Sequence, residues 1–399
     1  MSKKQQNKKL ILAFSGGLDT SFSIPYLKDQ GYQVITVTLD SGGFSKKELI
    51  AIKKKSRKLG ASKHYQVDIK KELYEEVISW IIKSNGLYEG SYPNMCADRY
   101  LIAKKCIEIA KKENAKYVAH GSTAMGNDQV RFDLALMALG PNIKIVEPIK
   151  EIGGDRKVEL NFLKDRGFDV SWKHQQYSIN ENIMGLTYSG STIDQSKEAD
   201  SKIFKLVTAK EIKKSKYLSV SFKAGELVKV NNKAMSGSEA IAYLNKVVGQ
   251  HGFGKMYYTG DCIIGIKGRI AIEAPALYFL IIAHRALEQQ VLTKTQIDFG
   301  VPVSQRLTEM IYNGKFYDPL VTDLKTFLDS QQKNVTGTVK MKLEYGQALP
   351  VEIKTSNSLI DHKTATYAQS CSWTREDADG FIKLYGLQSN LAHRISTKK

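Results

Sequence analysis

A short string of glycine and hydroxyl residues follows the first apolar run of the chain. It reads Ser15-Gly16-Gly17-Leu18-Asp19-Thr20-Ser21 and comes directly after Leu10–Phe14. Adjacent glycines let backbone N–H groups approach an anion closely, and a helix that begins here adds the positive end of its dipole. The hydroxyl groups of Ser15, Thr20 and Ser21 are further donors. We therefore predict a phosphate-binding loop rather than an ordinary capped turn.

A second polar string follows a later apolar run and extends from His120 to Phe132. Asn127 and Arg131 lie four residues apart, so on a helix they share one face and point towards the same ligand. The arginine fork suits a carboxylate, and Asn127 together with Asp128 can bind the polar head of an amino acid. The string therefore predicts an amino-acid site.

Two reactive residue types near these strings are interpreted as structural. His120 ends a predicted strand beside Gly121, where a hydrogen-bonded loop former is expected rather than a general base. Cys96 has no neighbour in the sequence that would activate it as a nucleophile.

Strand-like and helix-like segments alternate over the first 150 residues. The predicted strands are Leu10–Phe14, Val34–Leu39, His64–Val67, Tyr117–His120 and Ile143–Val146, and the predicted helices cover residues 20–30, 46–59, 70–83, 99–113 and 128–138. Such alternation implies a parallel sheet with right-handed crossovers, and hence a doubly wound α/β domain. Ligands of such domains bind beyond the carboxyl ends of the strands, where both polar strings fall.

The pattern changes after residue 155 and predicts a second, α+β domain. Strands are expected at Leu218–Phe222 and Leu227–Val230 and as pairs near residues 335–353, with helices at 237–249 and 274–290. The stretch Gln176–Asp194 is polar and glycine-rich. A helical tail from Asp377 onwards is interpreted as a packing arm. We expect three domains, covering residues 1–165, 166–365 and 366–399.

The composition is that of a globular protein, with 42% hydrophobic and 25% charged residues. The net charge of +18 is spread evenly over both halves of the chain, so we expect no nucleic-acid partner. The four cysteines form no C-x-x-C pair, which favours reduced thiols in a cytosol. No apolar run approaches the roughly 20 residues that span a bilayer. A soluble cytoplasmic protein without a membrane partner is therefore expected.

The first string lacks the Lys-Ser/Thr pair of a Walker A loop and resembles the pyrophosphate loop of the N-type ATP pyrophosphatases. The resemblance implies that ATP is cleaved between its α and β phosphates and that AMP is transferred to a substrate oxygen. Asp19 would then act through Mg²⁺, because a carboxylate beside pyrophosphate needs a cation between them. The implied co-substrate is ATP with Mg²⁺.

Segments along the whole chain resemble the argininosuccinate synthase family. They are the string from His120 to Phe132, Gly86–Pro93, Tyr177–Asn182, Ile264–Arg269, Glu273–Pro275, Ala283–Glu288, Thr336–Val339 and Gly380–Leu384. The resemblance implies ligation of L-citrulline and L-aspartate through a citrullyl-adenylate, which gives argininosuccinate, AMP and diphosphate in arginine biosynthesis. It also implies a homotetramer, and a reaction in which positioning and charge stabilisation dominate.

The family pattern carries over to individual positions. ATP is assigned to Ala13, Phe14, Ser15, Gly16, Gly17, Leu18, Asp19, Thr20, Ser21, Leu39 and Gly121. Aspartate is assigned to Thr123, Asn127 and Asp128, and citrulline is assigned to Tyr92, Asn127, Arg131, Ser178 and Thr187. The catalytic residues implied by the resemblance are Asp19, Asn127 and Arg131.

Three positions depart from the family pattern, all on the citrulline side. Gly260 stands where the family commonly has Glu, Ile272 where it has Tyr, and Ala97 where a small hydroxyl residue is common. A buried ammonium group without a partner is costly, so we expect a neighbouring group to compensate. The favoured replacement is Asp261, and the alternatives are Tyr257, Tyr258 and Asp98.

Two other functions stay open at the level of the sequence. One is another pyrophosphate-loop adenylating enzyme, such as a tRNA-modifying ATP pyrophosphatase, and the other is a nucleotide sensor without catalysis. The even spread of charge and the missing C-x-x-C pair disfavour the tRNA enzyme. Release of AMP and pyrophosphate only in the presence of both citrulline and aspartate would separate all three.

Overall fold

The computed structural model describes residues 8–122, 126–168, 176–208 and 214–398. Its first five strands are β1 (Lys8–Ala13), β2 (Tyr32–Asp40), β3 (Lys63–Asp68), β4 (Tyr117–Ala119) and β5 (Lys144–Val146). They form one parallel sheet in the order β3-β2-β1-β4-β5. Leu10, Ile11 and Leu12 of β1 are all fully buried, as a central strand covered on both faces requires. The predicted doubly wound α/β domain is confirmed.

Helices cover both faces of this sheet. They are α1 (Leu18–Asp29), α2 (Lys46–Lys58), α3 (Lys70–Leu73), α4 (Ser79–Lys83), α5 (Asp98–Glu113), α6 (Asn127–Leu139), α7 (Pro148–Glu151) and α8 (Arg156–Asp165). A π-helical turn, Tyr74–Ile78, joins α3 to α4, so the single helix predicted over 70–83 has a wider turn in its middle. The start of α2 is fixed by a capping box between Ser45 and Glu48.

The strand order brings the two polar strings side by side. From β1 the sheet extends through β2 and β3 on one side, and through β4 and β5 on the other. A crevice opens at such a switch point, beyond the carboxyl ends of the two central strands. The loop before α1 follows β1, and the loop before α6 follows β4. Both loops therefore reach the same crevice.

Two antiparallel sheets follow along the chain. Their strands are β6 (Ser178–Asn182), β7 (Gly185–Ser189), β8 (Lys216–Lys223), β9 (Glu226–Val230), β10 (Lys233–Ala234), β11 (Lys255–Asp261), β12 (Lys267–Glu273), β13 (Gly337–Glu344) and β14 (Gln347–Lys354). One sheet has the order β11-β12-β7-β6 and the other β10-β9-β8-β13-β14. The polar stretch Gln176–Asp194 thus contains a β-hairpin. These sheets confirm the predicted α+β architecture.

Four helices accompany these sheets: α9 (Gly237–Gly249), α10 (Pro275–Val291), α11 (Lys294–Tyr312) and α12 (Pro319–Gln332). The apolar run in α10 is buried on nearly every side, which explains its hydrophobicity within a folded core. None of the helices in the described ranges is long and apolar enough to cross a membrane.

A buried carboxylate ties a loop to the end of β12. Glu273 is fully buried and accepts hydrogen bonds from the backbone N–H groups of Lys205, Leu206 and Val207 at 2.9, 3.0 and 2.6 Å. The Tyr188 hydroxyl donates a fourth. Four donors compensate the cost of taking this charge out of water.

Residues from Asn357 onwards form a compact unit of their own. It contains the short pair β15 (Ala365–Thr366) and β16 (Ser370–Cys371), followed by α13 (Arg375–Tyr385) and α14 (Leu387–Ser396). The predicted helical tail is therefore present as two helices. Their exposed apolar side chains are Phe381, Ile382, Leu384, Tyr385, Leu387, Leu391 and Ile395. The domain boundaries proposed at residues 165 and 365 stay predictions.

Candidate active site

The loop between β1 and α1 has a backbone that only glycine can supply at its tip. Gly16 has a φ of +78°, and a Cβ atom there would lie 3.0 Å from Cγ1 of Ile52. The Lys55 ammonium donates to the carbonyl of Gly16 at 2.7 Å, and the Thr38 hydroxyl donates to the carbonyl of Phe14 at 2.6 Å. The loop is thus tied to α2 and β2, and α1 begins at its end.

The three hydroxyl groups predicted in this loop have different surroundings. Ser21 is buried, and its hydroxyl donates to the carbonyl of Gly17 at 2.6 Å. The hydroxyl groups of Ser15 and Thr20 lie 3.3 Å apart, and of these two residues only Ser15 is exposed. Ser15 and the backbone N–H groups of the first turn of α1 are therefore the donors best placed to meet an anion.

The apolar residues assigned to ATP line the base of this loop. Ala13 is half-buried at the end of β1, and Leu18 is buried at the start of α1. Phe14 and Leu39 are buried where β1 and β2 end side by side. Their position suits the support of a nucleotide, and the contacts themselves stay a prediction.

Asp19 lies beside a buried carboxyl group that the sequence reasoning missed. Glu159 of α8 is 1% exposed, and its Oε2 atom has no hydrogen-bond partner among the described residues. Burial, followed by the charge of Asp19 and a hydrogen bond to it, raises the pKa of Glu159 to about 8, and Arg156 opposes the shift. The two side chains therefore form a carboxyl–carboxylate pair at the first turn of α1.

Gly121 presses the second loop against the first. A Cβ atom on Gly121 would lie 2.8 Å from Cγ2 of Thr20 and 3.4 Å from Cβ of Asp19. The first of these distances is too short for any side chain without movement of the neighbour. The two polar strings are therefore in direct contact.

His120 shapes the second loop through both ring nitrogens. It is 1% exposed; its Nδ1 accepts from the backbone N–H of Ser122 at 3.3 Å, and its Nε2 lies 2.9 Å from a carboxylate oxygen of Asp133. With Nδ1 as acceptor, Nε2 carries the proton and donates to Asp133. This agrees with the interpretation of His120 as a loop former.

Asn127 begins α6 and joins three parts of the chain. Its side-chain N–H donates to the hydroxyl of Tyr312 at 3.2 Å, and its side-chain oxygen accepts from the backbone N–H of Ile263 at 2.9 Å. The Tyr312 hydroxyl in turn donates to the carbonyl of Asp261 at 2.9 Å. The end of α11 and the turn after β11 are thereby fixed against α6.

Two arginines enclose Asp128. Arg99 donates to one carboxylate oxygen through Nε and Nη2 at 3.1 and 3.0 Å, and Arg131 donates to the other oxygen at 3.0 Å. Burial alone would raise the pKa of Asp128, but the two guanidinium groups outweigh it and hold that pKa below its ordinary value. Arg131 also donates to the carbonyl of Tyr312 at 3.0 Å and lies over its ring at 4.9 Å. Arg99 also donates to buried Asp98 at 2.8 Å, so the cluster holds two guanidinium groups and two carboxylates.

Besides Asn127 and Arg131 of α6, the residues assigned to citrulline lie on β6, on β7 and in the segment around Tyr92. Tyr92 is buried and its hydroxyl lies 2.8 Å from the sulfur of Cys96; burial raises the pKa of that thiol, which agrees with a structural role for Cys96. Thr187 on β7 is directly opposite Asn180 on β6, which accepts from Arg99 at 3.0 Å. Ser178 lies two residues before Asn180, on the same face of the hairpin, and is exposed. Thr123 falls outside the described residues.

Ile272, which departs from the family pattern, and Asp261, the favoured replacement, have different surroundings. Ile272 is fully buried, directly opposite Thr187. Asp261, the favoured replacement for the missing carboxylate, instead pairs with Lys267 at 2.7 Å, and half of its side chain is exposed. Asp261 therefore already has a cationic partner at the surface, and its role as the replacement stays a prediction.

Four residues of this region were not predicted as site residues: Arg99, Glu89, Tyr312 and Glu159. Arg99 and Glu89 lie inside segments that carry polar residues, yet no spacing rule connects them to their partners. Tyr312 and Glu159 have no sequence signal at all. Together the site offers an anion-binding loop, a second loop that touches it at Gly121, and a pair of arginines suited to carboxylates around the first turns of the helix that follows.

Two family models cover almost the whole chain. Residues 9–169 match the N-terminal HUP domain of argininosuccinate synthase, and residues 177–392 match its C-terminal domain. Among full-length relatives, the chain is 42% identical to the argininosuccinate synthase of Xanthomonas campestris pv. campestris over 98% of this chain and 99% of that one. It is 41% identical to the argininosuccinate synthase of Pyrococcus furiosus, over 97% and 95%, and 37% identical to that of Bacillus mycoides, over 99% of both.

Proposed function

The chain belongs to the argininosuccinate synthase family, and from this premise we propose how its two loops divide the reaction. The protein is a ligase that forms a C–N bond and joins citrulline to aspartate with ATP in arginine biosynthesis. We assign activation of citrulline to the loop before α1 and capture of aspartate to the loop before α6. The match over both domains favours this function over a tRNA-modifying enzyme or a nucleotide sensor.

The first half-reaction is proposed at the loop Ala13–Ser21. The ureido oxygen of citrulline attacks the α-phosphorus of ATP, and the bond from that phosphorus to pyrophosphate breaks. Backbone N–H groups near Gly16 and Gly17, together with the hydroxyl of Ser15, would bind the leaving pyrophosphate. The helix N-terminus stabilises the negative charge that accumulates there.

The residues near Asp19 fit a magnesium ion carried by the nucleotide. Magnesium prefers carboxylate and phosphate oxygens, and Asp19 with Glu159 supplies two carboxyl groups, one of which has an unpartnered buried oxygen. Asp19 would hold the ion, with Glu159 beside it. The ion, when bound, neutralises phosphate charge.

The second half-reaction is proposed at Thr123, Asn127 and Asp128. The amine of aspartate attacks the ureido carbon, the bond from that carbon to the oxygen of AMP breaks, and the amine loses a proton. Arg131 would bind a citrulline carboxylate through the part of its fork not used by Asp128 and Tyr312. Tyr92, Ser178 and Thr187 are proposed to enclose the rest of citrulline.

One observation supports this division most directly. Gly121 lies so close to Thr20 and Asp19 that no side chain fits between the two loops. An adenylate formed at the first loop would therefore be within reach of an amine held at the second. Proximity of this kind replaces much of the acid–base catalysis that the site lacks.

Omission of single substrates tests the proposal. AMP and pyrophosphate should form in steady state with argininosuccinate only when ATP, citrulline and aspartate are all present. The formation of ADP and orthophosphate instead would contradict cleavage between the α and β phosphates. Steady turnover without citrulline would contradict the order of the two half-reactions.

We further propose a homotetramer in the cytoplasm. The apolar side chains of α13 and α14 are exposed in the C-terminal unit, and another copy of the chain is the occupant proposed to cover them. All four cysteines are free thiols, as in a reducing compartment. Light scattering after gel filtration, with and without residues 375–399, measures the oligomer directly; a monomeric parent would contradict the tetramer.

A further inference from the structure

The proposed substrate citrulline carries an α-ammonium group, and a buried ammonium needs an anion. Three carboxylates near the tyrosines of the site already pair with cations: Asp98 with Arg99, Asp128 with Arg99 and Arg131, and Asp261 with Lys267. The charge of each of the three is therefore already compensated by at least one cation.

Glu89 is a fourth carboxylate, and its partner is different. The hydroxyl of Tyr258 donates to Oε2 of Glu89 at 2.8 Å. Within the described ranges Glu89 forms no ion pair, and Lys267 acts on it only at longer range. Burial, followed by the hydrogen bond to Glu89, raises the pKa of Tyr258 well above its ordinary value, so the tyrosine remains a donor.

Gly260 makes room for this pair. A Cβ atom on Gly260 would lie 1.9 Å from the Tyr258 hydroxyl and 2.2 Å from Oε2 of Glu89. Tyr258 and Gly260 are two residues apart on β11 and therefore share one face of the sheet. The absence of a side chain at position 260 is thus what allows Glu89 to reach across from a different part of the chain.

The pair also touches the proposed citrulline site. The ring of Tyr258 stacks on that of Tyr92, with centroids 5.7 Å apart and planes 23° from parallel. Glu89 itself is exposed and has a φ of +47°, an uncommon conformation for a residue with a side chain. The bridge between Tyr88 and Tyr92, with N–H to carbonyl distances of 2.7 and 3.0 Å, holds this turn.

We propose that Glu89, oriented by Tyr258 above Gly260, is the residue that binds the α-ammonium of the amino-acid substrate. This assignment rests on the proposed function, in which that substrate is citrulline. Glu89 binds and selects the substrate, and the reacting atoms lie at its other end. An analogue of citrulline that lacks the α-amino group should therefore be a poor substrate.

The test compares citrulline with 5-ureidopentanoate, which is citrulline without its α-amino group. Loss of one charge-assisted hydrogen bond corresponds to roughly a 10- to 100-fold change in kcat/KM. The parent should use the analogue less well than citrulline by about this factor. Glu89→Gln should lower kcat/KM for citrulline by a similar factor, leave the analogue unchanged and leave the KM of ATP unchanged.

Two further variants separate recognition from a structural role. Gly260→Ala should also lose the preference for citrulline, because the added methyl group displaces both Tyr258 and Glu89. This variant replaces Glu89→Gln in the test if Glu89→Gln does not fold. Asp261→Asn removes the neighbouring carboxylate and should keep the preference of the parent.

The outcomes are distinct for the two proposals. Equal use of citrulline and its analogue by the parent, or an unchanged preference in Glu89→Gln, would overturn the role of Glu89 and leave the ligase function standing. Loss of the preference in Asp261→Asn alone would also overturn it. No product from citrulline, aspartate and ATP in the parent would instead refute the proposed function.

Discussion

The exchange Arg131→Lys keeps the charge of the buried pocket and changes only its shape. The guanidinium donates to Asp128 and to the carbonyl of Tyr312, each at 3.0 Å, and lies 4.9 Å from the Tyr312 ring. A lysine ammonium is a single point donor and cannot reproduce these contacts together with a fork on a carboxylate. We expect the lysine ammonium to remain near Asp128, because the opposite charge attracts it most strongly there.

The expected loss follows from the number of contacts given up. One charge-assisted hydrogen bond to the citrulline carboxylate contributes about 1.5–3 kcal/mol, which corresponds to a rise of roughly 10- to 150-fold in the KM of citrulline. The KM of ATP should change less than about threefold, because the nucleotide loop keeps its own contacts. A separate loss of about 1–2 kcal/mol in folding stability is expected from the buried carbonyl of Tyr312 left without its donor.

Initial rates of pyrophosphate release, measured while citrulline, aspartate and ATP are varied in turn, separate these effects. Arg306→Lys is the matched control, since that arginine is exposed and pairs with Glu309 at 2.9 Å. A citrulline saturation curve of Arg131→Lys that overlays the parent's would show that Arg131 does not bind this substrate. A rise confined to the KM of aspartate would move Arg131 to the other amino-acid subsite.

Three other predictions concern carboxyl groups. Asp19→Asn keeps the side-chain shape but removes its charge, so pyrophosphate release should fall at least about 100-fold while the protein stays folded; near-normal release would refute the role given to Asp19. Glu159 has a pKa of about 8 in the folded protein, above its value of about 4.3 in the unfolded chain, so its contribution to stability is complete below about pH 4 and is lost as the pH rises towards 8. Relative to the parent, Glu159→Gln should therefore gain Tm progressively from about pH 4 to about pH 8 and no further above it, because Asp155 and Asp19 disfavour the ionised form more than Arg156 favours it; parallel pH curves would contradict this. Glu273→Gln turns an amide N–H towards buried donors and should lower the free energy of unfolding by about 2–4 kcal/mol, as measured by urea denaturation. The control Glu352→Gln should lower it by less than about 1 kcal/mol, because the ion pairs of that half-exposed side chain lie at the surface.

The parallel sheet and both loops could be predicted because their signals are local. An apolar run followed at once by glycines, as in Leu10–Gly17, indicates within one segment that a strand ends and a tight turn begins. The pairing of Asn127 and Arg131 on one helix face follows from spacing in the same way. Such features need no knowledge of distant parts of the chain.

The remainder of the site depends on contacts between distant segments. Arg99 and Asp128 are 29 residues apart, and Arg131 meets Tyr312 across 181. The hydrogen bond between Tyr258 and Glu89 spans 169 residues, and no pattern in either segment indicates the other. Asp261 seemed the nearest replacement for a missing carboxylate because the sequence shows only neighbours along the chain. Nothing in the sequence indicated that Lys267, on the neighbouring strand β12, would form an ion pair with Asp261.

The hairpin of β6 and β7 shows a different limit. Its first strand reads Ser-Ile-Asn-Glu-Asn and alternates too weakly in hydrophobicity to be distinguished from a loop. Asn182 ties the strand to a distant segment, because its side chain donates to the carbonyl of Met95 at 2.7 Å, and within the turn it accepts from the backbone N–H of Met184 at 2.9 Å. A polar strand whose partners lie elsewhere cannot be found from its own residues.

The contact between Gly121 and Thr20 makes the two positions inseparable as mutational steps. Alanine at 121 alone would meet the Thr20 methyl group at 2.8 Å, whereas serine at 20 removes that methyl and keeps the hydroxyl that bonds to Ser15. The remaining neighbours of the new Cβ atom, on Asp19 and Thr20, would lie at 3.4 and 3.5 Å, which is ordinary contact. A side chain at position 121 can therefore be accommodated only after the Thr20 methyl group has been removed. The order of the two substitutions in evolution is fixed by this contact.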